Sequence, residues 1–219
     1  MKKQKNLRIT NKIELIDSRS PQLETLATAV EILKRGGVIG FPTQSIYGLG
    51  ADALNSVAVD KVFVIKQRAP DNPLLVLVPD RDAVYGVAAE VPPAALRLMD
   101  RFWPGRVTIV LKALPQLPEN LVAGTGRIGV RVPGHPVVKT LVAMLAKPMT
   151  GTSANISGRS GCHRIEDLDR RVASQLDLIL DAGPLAGGRG STVVDVTGPS
   201  AVIIREGAVS RQEILNALS

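Results

Sequence analysis

The sequence predicts an α/β protein: a single domain built on a twisted, mixed parallel and antiparallel sheet with helices on its faces. Three observations point there. Short apolar runs alternate along the chain with segments of helical period. No internal repeat and no linker long enough to divide domains interrupts them. The chain has 219 residues, 45% of them hydrophobic and only 3% aromatic, with a mean hydropathy of +0.15. A chain of that length buries a real core, which here must be made of Val, Leu, Ile and Ala.

Taken in order, residues 1–12 read as a flexible basic N-terminal arm, and residues 13–219 as the domain. Ile13–Ile16 suits a short strand. Ser20 and Pro21 read as a hydroxyl cap and a first-turn proline. They open a helix to Lys34 with Leu23, Leu26, Ala27, Val30 and Leu33 at helical spacing, closed by Gly36 and Gly37. Val38–Phe41 is an apolar strand that stops at Pro42. A polar loop with Thr43, Gln44, Ser45 and Tyr47 follows, then a helix over Ser56–Lys66, a loop fixed by Pro70 and Pro73, and a strand over Leu74–Val78.

Asp80 or Asp82 can cap a helix over Ala83–Ala89, and Pro92-Pro93 opens another that ends near Arg101. Val107–Leu111 is a strand. The proline-rich LPQLPENL has no period of its own. Arg127–Val132 alternates as a strand, and Pro136–Ala146 is a helix with Val137 and Leu141 inward. Pro148–Thr152 is extended and Ser153–Gly161 is a loop of small residues. Ile165–Leu176 reads as one amphipathic helix and Leu178–Leu180 as a strand, followed by the flexible loop AGPLAGGRG. Ser191–Val196 and Ala201–Arg205 flank Thr197–Ser200 as an antiparallel hairpin. Ser210 with Glu213 forms a capping box for a last helix to Leu218.

A net charge of +7 points to an anionic partner, nucleotide or nucleic acid. So few aromatic residues leave little on which exposed bases could stack. One cysteine, Cys162, excludes an internal disulfide and a Cys-rich zinc site. No apolar run reaches the roughly 20 residues of a membrane span, and no apolar segment follows the basic start, so a cytoplasmic protein without membrane contact is expected.

Lys66 and Arg68, one residue apart in a proline-fixed loop, can form a clamp for phosphates, arginine as a fork and lysine as a point charge. Gly151–Gly158 can cradle an anion with backbone N–H groups, hydroxyls and an amide. Gly124–Gly129 matches G-x-G-x-x-G but enters a strand, so dinucleotide-loop mechanics are absent. Arg131 and Arg205 each sit in or at the end of an apolar strand and can be aimed into a cleft. Cys162 beside His163 lacks the geometry of a nucleophile pair. These residues alone describe a cationic cleft for a nucleotide, with phosphate-centred chemistry driven by positioning and charge.

The motifs FPTQSIYGLGAD, IKQRAPDNPL, FWPGRVTIVL, IGVRVPGHP, GTSANISG, STVVDV and IIREG, in this order, resemble the threonylcarbamoyl-AMP synthase family of YrdC-like fold. The resemblance covers about Ala29 to Glu206. It implies a nucleotidyltransferase that joins L-threonine, bicarbonate and ATP into threonylcarbamoyl-AMP and pyrophosphate. A downstream threonylcarbamoyl transferase complex then modifies tRNA. It implies Lys66 and Arg68 as catalytic residues, and an ATP site of Lys66, Arg68, Asn72, Ser153, Asn155 and Arg205. Thr43, Tyr47, Arg131 and Ser191 would make the threonine pocket. Magnesium is expected as the companion of ATP. The chain departs from the family pattern at Gln44, Leu77 and Gly190, and it ends at Ser219 in the manner of the short, single-domain form. The alternatives are a module that binds RNA weakly, or a paralogue of the same fold with other carbamoyl chemistry.

Overall fold

A computed structural model describes residues 12–219. The expected basic arm lies outside the described residues except for Lys12, whose Nζ donates to the Leu176 carbonyl at 2.7 Å. The elements follow in the order β1 (Ile13–Leu15), α1 (Leu23–Lys34), β2 (Ile39–Phe41), β3 (Gly48–Gly50), α2 (Ser56–Lys66), β4 (Leu75–Leu77), α3 (Pro93–Phe102), β5 (Val107–Lys112), α4 (Glu119–Val122), β6 (Arg127–Arg131), α5 (Pro136–Leu145), β7 (Met149–Thr150), β8 (Thr152–Ser153), α6 (Arg170–Ala173), β9 (Leu178–Asp181), β10 (Thr192–Asp195), β11 (Val202–Arg205) and α7 (Arg211–Leu218).

The result is a single α/β domain of mixed strand direction, with the strands hydrogen-bonded into two sheets. One has five strands in the order β1-β9-β2-β3-β8, and the other six in the order β11-β10-β5-β6-β4-β7. In the five-stranded sheet β1, β9 and β2 run parallel, and β3 returns antiparallel to β2 and β8. In the six-stranded sheet β10–β5 and β6–β4 are parallel, and the remaining neighbours are antiparallel. Strands β7 and β8 are one extended stretch: Met149 and Thr150 pair with β4, and Thr152 and Ser153 with β3. The chain therefore passes from one sheet to the other at Gly151.

The period of two sorts the side chains between layers. Ile39 and Phe41 of β2, with Leu178 and Leu180 of β9, join a cluster made with Leu26, Val30 and Leu33 of α1 and Val137, Leu141 and Leu145 of α5. The opposite face, with Ile179, belongs to the main core, which also takes Val59 and Val62 of α2 and Leu98 of α3. Each such fully buried aliphatic side chain contributes roughly 1.5–3 kcal/mol.

The six-stranded sheet sorts differently. Ile109 and Leu111, Ile128 and Val130, and Val194 enter the main core. Their neighbours in sequence, Thr108, Val110, Arg127, Gly129, Arg131, Val193 and Asp195, therefore share the other face, which is left open as the floor of a cavity.

Several local expectations are corrected. Helix α1 begins at Leu23 and not at Ser20–Pro21, because the Asp17 carboxylate accepts the N–H groups of Arg19 and Ser20 in a turn of its own. The glycine-framed strand β3 is read from sequence as loop. A Cβ on Gly48 or Gly50 would stand 2.9 or 2.8 Å from the Phe41 ring, so this strand exists only without side chains at those positions. The expected helix over Ala83–Ala89 is a 3-10 turn, Asp82–Gly86, with Asp80 accepting the Ala83 N–H. Ile165–Leu176 is broken into a 3-10 turn and the short α6, because Asp169 caps the Arg171 N–H and leaves Leu168 extended. Within LPQLPENL, Pro118 introduces α4. Helix α2 matches its expected span, with Asn55 accepting the Ala58 N–H, and the α7 capping box is formed as expected.

Candidate active site

The cavity has a volume of about 790 Å³. Its floor is the open face of the six-stranded sheet. The β2–β3 loop, the Gly151–Ser153 stretch and the start of α5 rise around it. Of the residues singled out from sequence, Thr43, Tyr47, Arg68, Asn72, Arg131, Ser153, Ser191 and Arg205 reach it; Lys66 and Asn155 do not.

The guanidinium groups dominate the lining. Arg68, Arg106, Arg127, Arg131 and Arg205 face one space together with a single carboxylate, Asp195. That carboxylate is already engaged, accepting from Arg127 Nη1 at 2.8 Å and from Thr197. Among the described residues, Arg68, Arg106, Arg131 and Arg205 have no carboxylate partner. Arg68 is held in a fork by the Asn72 and Pro73 carbonyls at 2.9 Å and by Asn72 Oδ1 at 2.7 Å. Arg205 donates to the Ser191 carbonyl at 2.8 Å, and Ser191 Oγ lies 2.8 Å from Thr108 Oγ1. Arg131 keeps its Nε buried with no acceptor. Burial lowers the pKa of all three, with the charge of Arg205 adding to the effect at Arg68 and Arg131, and Arg131 is pushed down to about 10. Like charges gathered out of water favour an anion that would relieve both terms.

Lys66 sits one layer behind. It is 1% exposed. Its Nζ donates to the Ser153 carbonyl at 2.5 Å, the Asn155 carbonyl at 2.9 Å and Asn155 Oδ1 at 3.3 Å. Burial, then the charge of Arg68, pushes it down to about 8. Asn155 in turn donates to the Ile156 carbonyl and to the Arg159 carbonyl. Lys66 and Asn155 thus brace the Ser153 loop from beneath. A two-cation clamp on the cavity surface is not what the fold builds; Gln67 at φ 49° turns Arg68 outward and leaves Lys66 under the loop.

Two residues expected from the family resemblance to line a threonine pocket, Thr43 and Tyr47, also serve the framework. Thr43 Oγ1 donates to the Ile46 carbonyl at 2.6 Å and accepts from the Ser45 and Ile46 N–H groups, shaping the β2–β3 loop. Tyr47 reaches the cavity but turns its hydroxyl away. It donates to the Gly183 carbonyl at 2.7 Å, lies 3.0 Å from Asp181 Oδ1 and accepts the Ala182 N–H. Burial raises its pKa.

Sequence reasoning missed Arg106, Arg127 and His135. Arg127 and Arg131 are two residues of one alternating strand with Gly129 between them, and that spacing was the available signal. Arg106 is set by a turn in which Trp103 Nε1 donates to the Val107 carbonyl at 2.7 Å. Leu77, noted for its departure from the family pattern, is buried in the α1–α5 cluster and does not line the cavity. Cys162 is buried with its thiol pushed up to about 11.

The described residues hold no cluster of three or more His, Cys, Asp or Glu side chains fit for a metal ion. Asp195 is tied to Arg127, and Asp52 to Lys147 at 2.9 Å. The lining therefore does not fit a protein-ligated magnesium ion.

This is a two-sheet α/β protein with an arginine-lined cleft whose charge suits an anion. The Sua5/YciO/YrdC family model, described as telomere recombination, matches residues 31–207, and the chain belongs to this family. It is 34% identical over 207 residues to the threonylcarbamoyl-AMP synthase of Bacillus subtilis, covering 92% of this chain and 59% of that protein. The crystal structure of Pyrococcus abyssi Sua5 complexed with L-threonine superposes with a TM-score of 0.89 at 31% identity, over 94% of this chain and 60% of that one. E. coli YciO superposes at 0.85 with 30% identity, over 93% of this chain and 98% of that one. The chain thus spans about three-fifths of the length of the first two. Among the described residues no helix is long and apolar enough to cross a membrane.

Proposed function

We propose that this protein is an L-threonylcarbamoyladenylate synthase acting in the cytoplasm. The observation that carries the reading is the set of carboxylate-free guanidinium groups, Arg68, Arg131 and Arg205, facing one cavity. Threonine amine and bicarbonate combine to a carbamate with loss of water. A carbamate oxygen then attacks the α-phosphate of ATP, the bond to the β-phosphate oxygen breaks, and pyrophosphate leaves with the electron pair.

In this scheme Arg68 and Arg205 neutralise the triphosphate, beside Asn72 and the Ser153 turn that Lys66 and Asn155 hold in shape. Arg131 takes the threonine carboxylate, in the loop framed by Thr43 and Tyr47 and beside Ser191. The gain comes from fixed charges at the place where negative charge moves toward pyrophosphate. Magnesium arrives with ATP, carried by phosphate oxygens and water. The product is a mixed anhydride that passes to a separate transferase acting on tRNA.

The test is pyrophosphate release from ATP with L-threonine and bicarbonate each added or omitted. Release that requires both is expected. Release indifferent to threonine would overturn the reading and direct attention to other amines and to RNA.

A further inference from the structure

Synthesis of a threonylcarbamoyl-adenylate brings three anions into one cavity: the triphosphate, the threonine carboxylate and bicarbonate. Two of them have partners above, the triphosphate in Arg68 and Arg205 and the carboxylate in Arg131. Bicarbonate has none. One guanidinium of the lining is likewise without a task. Arg106 is half-buried and lines the cavity. Among the described residues it has no carboxylate partner, and its side chain donates to no protein oxygen.

The backbone of Arg106 is fixed on both sides. Its carbonyl accepts the Thr192 N–H at 3.0 Å, and the preceding Gly105 donates to the Val132 carbonyl at 3.0 Å. Arg106 is therefore seated between the residue next to Ser191 and the residue next to Arg131. Sheet order agrees. Strand β5, which Arg106 immediately precedes, lies between β6, with Arg131 at its end, and the pair β10–β11, with Arg205 at its end. Thr108, two residues on from Arg106, stands opposite Val193, and Val193 opposite Arg205. Arg106, Thr108, Arg131, Ser191 and Arg205 all line the cavity.

The reaction needs an anion site at that place. In a threonine carbamate the carboxylate carbon and the carbamate carbon are three bonds apart, less than about 4 Å. The carbamate must therefore form beside Arg131, and one of its oxygens must then reach the α-phosphate on the Arg205 side. A guanidinium based between those two positions offers a planar fork to the oxygens of bicarbonate or carbamate.

We infer that Arg106 binds bicarbonate, and then the carbamate made from it, between the amino acid and the α-phosphate. The inference rests on the synthase reading. The threonine nitrogen attacks the bicarbonate carbon. The N–C bond forms, the C–OH bond breaks, and the hydroxide leaves with a nitrogen proton as water. The carbamate keeps the negative charge, so one guanidinium serves before and after the step and holds the nucleophile in place for the next.

The experiment measures pyrophosphate release in buffer depleted of carbon dioxide, varying bicarbonate, threonine and ATP in turn. Arg106→Met keeps the length of the side chain without its charge. The KM for bicarbonate should rise by about tenfold or more, with the KM for ATP and for threonine changed by less than about twofold. Arg106→Lys restores the charge without the fork and should recover part of the loss. If Arg106→Met does not fold, Arg106→Lys carries the test, with the bicarbonate KM raised about threefold or more and the other two constants held. A rise in the KM for ATP instead makes Arg106 a phosphate contact, and a rise confined to threonine makes it a second partner of the amino-acid carboxylate. Either result, like three unchanged constants, overturns the assignment and leaves the synthase reading standing. Release from the wild-type chain that needs neither bicarbonate nor threonine overturns both.

Discussion

Two cations, Lys66 and Arg131, stand beside the same cleft, Lys66 buried and Arg131 half-buried, and the fold treats them oppositely. Lys66 has its ammonium filled by three oxygens of the Ser153–Asn155 turn. Arg131 has a buried Nε with nothing to donate to. Both pKa values are depressed, mainly by burial. The saturated cation is part of the architecture, and the unsatisfied one lines the cavity. Charge count alone would have given both residues the same role.

Arg131→Ala should break the comparison on the ligand side. Threonine-dependent turnover should fall on the order of 10²-fold. The melting temperature should hold or rise, since no protein acceptor loses a partner; steady-state kinetics beside calorimetry checks both. Lys66→Met should break it on the structural side. Two carbonyls would be left without their donor, at a stability cost of about 2–3 kcal/mol, and melting should drop by roughly 5–10 °C, with activity lost as a consequence.

The pH dependence sharpens the contrast. Burial, then the charge of Arg68, pushes the Lys66 ammonium down to about 8, below its ordinary value of 10.5. Between those values the unfolded chain holds a proton that the folded one has released, so stability rises with pH there; below about 8 the burial penalty is fully present. Activity should move the other way, with kcat/KM for ATP falling as pH passes about 8 and the Lys66 ammonium that braces the Ser153 loop loses a proton. Denaturant melts and ATP titrations from neutral to alkaline pH would reveal the two opposed trends. As a control outside the cavity lining, Ser210→Ala removes the α7 capping box and should cost about 1 kcal/mol, with a much smaller effect on kinetics than Arg131→Ala.

The parts of this molecule that could be read from its sequence are those whose signals are local. Asn55 and the apolar spacing that follows it define α2, Ser210 and Glu213 define α7, and alternation defines β6 and the β10–β11 hairpin. Strand β3 escaped because its glycines, Gly48 and Gly50, make sense only against the ring of Phe41, which stands earlier in the sequence and packs over them across the hairpin. Helix α6 was overcalled because an amphipathic period does not reveal that Asp169 will cap inside it. Of the site, Arg131, Arg205 and Ser191 were legible as polar residues in apolar strands. The depth of Lys66 was not, because it depends on a turn at Gln67 and on a loop almost ninety residues further along. Arg106 and His135 needed the third dimension: each becomes a lining residue through how a turn or a helix start is docked.

The stretch Met149–Ser153 carries a consequence for how the molecule comes apart. Thr150 exchanges hydrogen bonds with Ala51, its N–H going to the Ala51 carbonyl and its Oγ1 taking the Ala51 N–H, while the next residue, Gly151, donates to the Leu75 carbonyl at 2.9 Å. Two adjacent amides thus close two different sheets. Neither sheet can be finished before the other has supplied its partner, and neither can fray alone without pulling on the seam. The cleft inherits that cooperativity: Ser153 lies at the far end of the seam and lines the cavity, so the shape of the cavity wall there rests on the folding of the whole domain and not on the loop alone.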